Sequence, residues 1–129
     1  MLTTPSVVGL HLRYRLWIAE LNHDITMLRI FDDYLQEIKN KKVEPTVKKE
    51  VENFKNRFIE IRKDIDDLRH EMHLHKMNLA AESRESVQGN KNDLESGNHS
   101  ETEKRYQTFR KLFEKVKNEF ISFEGKSLQ

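Results

Sequence analysis

The sequence contains no cysteine among its 129 residues. Disulfides, thiolate zinc sites and cysteine nucleophiles are therefore excluded, and the absence accords with a reducing compartment. Glycine and proline are scarce, at four and two residues, too few for a turn-rich β fold. An excess of one charge is missing too. Twenty-three Lys and Arg stand against 22 Asp and Glu, a formal net charge of +1, which argues against a general nucleic-acid binder. No stretch approaches the ~18 consecutive apolar residues that a membrane span requires. Met1 to Gly9 has no basic residue and only Val7 and Val8 as an apolar run, so it does not read as a secretory signal. There is no Gly-rich phosphate loop and no G-x-S-x-G elbow. The expectation is a soluble, cytoplasmic protein that acts on neither membrane nor nucleic acid and carries no cofactor and no catalytic residues.

Charged residues make up 35% of the chain and hydrophobic ones 36%, and the mean hydropathy is −0.84. That is too polar for a thick globular core. The near-zero net charge and the regular spacing of the apolar residues separate the chain from the disordered class. The few prolines and glycines cut it into three uninterrupted segments, which predict a single domain of helices at about 6–40, 45–82 and 100–124. Thr4 before Pro5 fits an N-cap with Pro in the first turn, and Pro45 suits the start of the second helix. Ser100 and Glu103 fit a capping box, and Gly125 fits a left-handed helix end. The polar stretch 83–99 predicts a flexible loop.

Within each segment the apolar residues follow a 4-3 repeat. It runs from Leu10 through Tyr14, Trp17, Leu21, Asp24, Leu28, Phe31 and Leu35 to Ile38. In the second segment it runs from Val47 through Val51, Phe54, Phe58, Ile61, Ile65, Leu68, Met72 and His75 to Leu79. In the third it runs through Tyr106, Phe109, Phe113, Val116, Phe120 and Phe123. Such a repeat keeps one stripe of each helix facing a partner. The fold class expected is all-α: a long antiparallel helical hairpin plus a shorter third helix, a three-helix, coiled-coil-like bundle.

The short connection Lys39–Glu44 forces the first two helices antiparallel. If Ile38 faces Val47, facing positions sum to about 85, which sets Asp24 opposite Ile61 and Leu10 opposite His75. At ~1.5 Å per residue the hairpin is a rod of about 45–55 Å, and a third helix from residue 100 covers only about two-thirds of it. The hairpin tip, with Phe31, Leu35, Ile38 and Phe54, then lacks cover. The first helix also carries a second apolar set: Leu12, Leu16, Ala19, Met27, Ile30 and Tyr34. A helix with two apolar faces needs two neighbours. A homo-oligomer is expected, most simply a dimer, with Met27, Ile30, Phe31, Tyr34, Leu35, Ile38 and Phe54 as interface candidates.

Two seam positions are polar, Asp24 and His75. An unpaired buried carboxylate is costly. Asp24 therefore needs a cation, for which Arg62 and Lys117 are candidates, and it reads as a register-fixing residue. His70, His73 and His75 invite a metal reading, but a zincin places two His four apart on one face, and here the gaps are three and two. By the repeat only His75 points inward, toward His11 with Glu71, Glu103 and Tyr106 as neighbours, and a structural histidine is expected there. Lys39, Lys41, Lys42, Lys48 and Lys49 at the tip are interleaved with Glu37, Glu44, Glu50 and Glu52, a solvated tip. The function expected is a non-enzymatic scaffold or adaptor that meets a protein partner through helix surfaces. The alternative is a small ligand- or metal-binding bundle, hemerythrin-like or ferritin-like, using His11, His75 and nearby carboxylates.

Overall fold

The computed structural model describes the backbone of residues 7–41, 43–85 and 92–127, and the side chains of 8–41, 43–79, 81 and 99–126. Thr4, Pro5 and Lys42 lie outside them. Three helices and no strand are present among the described residues: α1 (Val7–Asn40), α2 (Pro45–Glu85) and α3 (Asn92–Ser127). The protein is all-α. At the hairpin turn the Lys41 amide donates to the Ile38 carbonyl (3.2 Å). The Glu44 carbonyl accepts from both Val47 and Lys48 (3.0 and 3.1 Å). Pro45 thus occupies the first helical position, where its missing N–H leaves no bond unmade.

The third helix is not short. It has 36 residues against 34 in α1 and 41 in α2, and it begins well before Ser100, inside the stretch expected as a loop. Ser100 lies within the helix, and so does Gly125, which stays out of the left-handed region. The cause is the seam. Continued backward from Tyr106 at 4-3 spacing, it reaches Thr102 and His99, both buried. These two residues extend the inward face of α3 by polar side chains that an apolar pattern does not register.

Ring contacts fix the registers. Tyr14 stacks on His75 at 5.7 Å and Phe31 meets Phe58 at 5.7 Å, so facing positions of the hairpin sum to 89 rather than 85. Leu10 is therefore level with Leu79, not His75. Helical side chains lean toward their own N-terminus. In an antiparallel pair the lean runs away from the turn on α1 and toward it on α2, which shifts facing residues to higher sums.

Helix α3 runs parallel to α1 and antiparallel to α2 along the whole rod. At one end His99 touches Tyr14 and Trp17; at the other Phe120 touches Phe31 and Phe123 touches Phe54. The tip is consequently closed within one chain. Leu35, Ile38 and Phe54 are buried, and Phe31 is half-buried. These four residues are therefore covered by α3, which is longer than the two-thirds of the rod expected from a start at residue 100.

Phe120 sits at the centre of this closure, with ring contacts to Phe31, Phe54, Phe58 and Phe123. Phe120→Ala is expected to cost about 3–5 kcal/mol, measured by urea unfolding monitored by circular dichroism. A loss below about 1 kcal/mol would mean that α3 does not cover the tip.

Candidate functional site

Two features stand apart from the ordinary apolar packing: a line of buried polar groups between α1, α2 and α3, and an exposed apolar stripe on the outer side of α1. The polar line begins at the N-terminal end of α1. The Tyr14 hydroxyl lies 3.0 Å from His99 Nδ1. The Tyr14 ring stacks on His75, and Trp17 stacks on His99 at 5.7 Å and on Tyr106 at 5.0 Å. On the α2 side Thr102 donates to Glu71 Oε1 (2.9 Å) and lies 3.2 Å from His75 Nε2. A hydroxyl has one proton. Given to Glu71, it leaves the Thr102 oxygen to accept from a protonated His75 Nε2. Arg105 also binds Glu71.

His99 lies in the polar stretch that predicts a loop, yet it is only 6% exposed. Its Nε2 is buried with no hydrogen-bond partner, and the nearest carboxylate oxygen, on Glu103, is 3.6 Å away. Desolvation pushes its pKa down, aided by Arg13 and His75 and opposed by Glu103. The nitrogens present are thus suited to a neutral ring that accepts or donates one bond to Tyr14 and is sandwiched among aromatics.

One heptad further along, Asp24 is 2% exposed and is gripped by neither Arg62 nor Lys117. Arg62 pairs with Asp66 and Lys117 with Glu114. The cation is Arg110 of α3, whose Nη1 and Nη2 donate to the two Asp24 oxygens at 3.0 and 2.7 Å. Arg110 also donates to the Tyr106 hydroxyl (3.1 Å), which in turn donates to Glu20. Burial opposes the Arg110 charge, but the hydrogen bonds and charge of Asp24, with help from Glu20 and Glu114, outweigh it and raise its pKa. Heptad spacing alone does not single out Arg110, since its position follows from the register of α3.

These groups hold one another rather than surround a space. The clefts of about 350, 310 and 540 Å³ on the surface are lined by other residues, none by Tyr14, His75, His99 or Asp24. Among the described residues no three His, Asp or Glu side chains stand together as a metal site. His70 and His73 are exposed, and His11 is half-buried. Around His75 the carboxylate present is Glu71, whose Oε1 lies 3.7 Å from His75 Nε2.

The second feature is the outer face of α1. Val8, Leu12, Leu16, Ile30 and Tyr34 are exposed, from 44% at Tyr34 to 76% at Val8. Ala19 and His23 are exposed between them, and Met27 is partly buried. At ~100° per residue these eight positions fall within a stripe roughly 100° wide, turned well away from the core seam. The interface candidates thus divide. Ile30 and Tyr34 present surface, and Met27 part of its surface, whereas the tip residues lie under α3.

Two outcomes follow from the buried groups. Asp24→Leu leaves the Arg110 guanidinium without its carboxylate and is expected to destabilise the fold by about 3 kcal/mol. Asp24→Leu with Arg110→Met removes both charges and is expected to recover most of that loss, as read by denaturant midpoints. An equal loss in single and double variants would refute the pairing.

His99 binds protons less readily folded than unfolded, so stability is complete above its unfolded value near pH 6.5 and falls as the pH drops below it. Melting temperature is expected to decline between pH 7.5 and 5.5, and His99→Gln to flatten the decline. An unchanged slope in the variant would show that His99 is not the group that titrates.

No protein-family model, curated protein or solved structure matches this chain.

Proposed function

We propose that this protein is a non-enzymatic, cytoplasmic helical scaffold or adaptor that self-associates, in a coiled-coil-like manner, through the outer face of α1. The observation that carries the reading is the apolar stripe itself. It runs from Val8 to Tyr34 on a helix whose opposite face is already fully packed. Single exposed apolar residues are ordinary on a protein surface, but a continuous row of them marks an interaction site. The closed polar line points the same way. Its donors and acceptors are mostly satisfied by each other, and none of the three described clefts is lined by Tyr14, His75, His99 or Asp24. Among the described residues no helix is long and apolar enough to cross a membrane.

The magnitude is sufficient. Each large residue of the stripe keeps about half its surface in water, and burial of the remainder yields roughly 1 kcal/mol per side chain. Ten such side chains from two protomers supply on the order of 10 kcal/mol, and the low end of the association cost, about 4 kcal/mol, leaves about 6 kcal/mol, a dimer with a dissociation constant of tens of micromolar. Multi-angle light scattering is therefore expected to show a dimer at tens of micromolar. Ile30→Glu with Tyr34→Glu is expected to shift it to monomer while helicity is unchanged. A wild-type monomer at that concentration would remove the physical support for the scaffold reading.

A further inference from the structure

The outer stripe has its own period. Its positions 8, 12, 16, 19, 23, 27, 30 and 34 advance by 4-4-3, repeated twice, whereas the core seam of the same helix advances by 4-3. An 11-residue repeat follows an almost straight α-helix. The stripe is therefore a continuous line suited to a second helix lying along it.

Charge beside the stripe indicates which helix. On one flank the N-terminal half of α1 presents His11 and Arg15 one turn apart, and the C-terminal half presents Asp33 and Glu37 one turn apart. Like charges at this spacing, as on Asp33 and Glu37, repel on an isolated helix, and among the described residues no ion pair within the chain engages Arg15, Asp33 or Glu37. α1 has no acidic residue in its first turn, and Glu37 near its C-terminus stands beside Lys39 of the last turn. The surface that best complements a helix basic at its start and acidic at its end is the same helix reversed.

We infer that two copies of this chain pair through α1 in antiparallel sense about a two-fold axis beside His23. This assignment rests on the self-association reading above and adds its geometry. With stripe positions summing to 46, Leu12 meets the partner's Tyr34, Leu16 the partner's Ile30, Ala19 the partner's Met27, and His23 itself. The flank then falls into place at a sum of 48: Arg15 meets the partner's Asp33, and His11 the partner's Glu37. Each contact occurs twice, as an isologous interface demands. The single polar position in the stripe lies on the axis, where a lone polar residue fixes alignment.

The absence of cysteine makes the test direct, because any introduced thiol is unique. Across a helix pair the facing Cα atoms at the axis come within the ~7 Å a disulfide needs. His23→Cys is expected to form a disulfide-linked dimer on mild oxidation. Ala19→Cys sits four residues from the axis in each chain, an axial separation of about 12 Å, and is expected to remain unlinked. Leu12→Cys with Tyr34→Cys is expected to link, and either alone is not. Arg15→Glu is expected to weaken the dimer about tenfold, because the repulsion it creates occurs twice, and Arg15→Glu with Asp33→Arg to restore it. All these positions are exposed, and circular dichroism serves as the fold control. Equal linkage at Leu12, Leu16, Ala19 and His23 would indicate parallel helices, and linkage at Ala19 without His23 a different axis; either overturns the assignment while leaving self-association intact. A wild-type monomer in light scattering overturns both.

Discussion

Asp24 is a carboxylate in the middle of an otherwise apolar seam, and its two-pronged contact with Arg110 is the constraint on which the arrangement of the three helices depends. A buried carboxylate without a cation costs several kcal/mol, and a slip of α3 by one heptad would set Glu103 or Lys117 in place of Arg110 and undo the two-pronged contact. With the pair in place, the remaining contacts of α3 follow from helix geometry. His99 and Thr102 arrive level with Tyr14 and His75, and Phe120 and Phe123 arrive level with Phe31 and Phe54. Arg57 and Glu119, 2.6 Å apart near the same end, agree with that register.

Because α3 reaches from one end of the hairpin to the other, the chain covers most of its own seam, with Trp17, Phe31 and Val47 partly buried. The tip phenylalanines, the aromatic residues of α1 and the two inward histidines are all spoken for within one molecule. The outer face of α1 is the remaining long apolar row. Function on this account resides in a surface that the fold leaves open, and the buried polar line has the structural task of holding α3 in the position that closes everything else. The neutral state of His99 favoured by its burial belongs to the same task.

The three helices, the 4-3 seams and the inward direction of Asp24 and His75 are legible in the residues, because apolar spacing and the scarcity of Gly and Pro act locally. The start of α3 was not, since its seam is continued by Thr102 and His99, which read as loop residues until hydrogen bonds to Glu71, His75 and Tyr14 are seen. Continuing the 4-3 count past Tyr106 would have found both. The partner of Asp24 was hidden for a related reason: it depends on the register of a helix that no short connection fixes. The register of the hairpin itself was missed by one turn, because counting from the turn ignores the lean of helical side chains toward their N-termini. The length of α3 then decided which apolar residues need a second chain, and the tip candidates fell with it while Ile30 and Tyr34 kept their exposure.

The central claim is a closed tip beside an open α1 face that closes on association. Hydroxyl-radical footprinting of the full chain at submicromolar and at tens of micromolar concentration tests it in one measurement. The account predicts that Leu12, Leu16, Ile30 and Tyr34 react at the lower concentration and are protected at the higher, while Leu35, Ile38, Phe54 and Phe123 are protected at both. Reactive tip residues at low concentration, or an α1 face equally reactive at both, would contradict it.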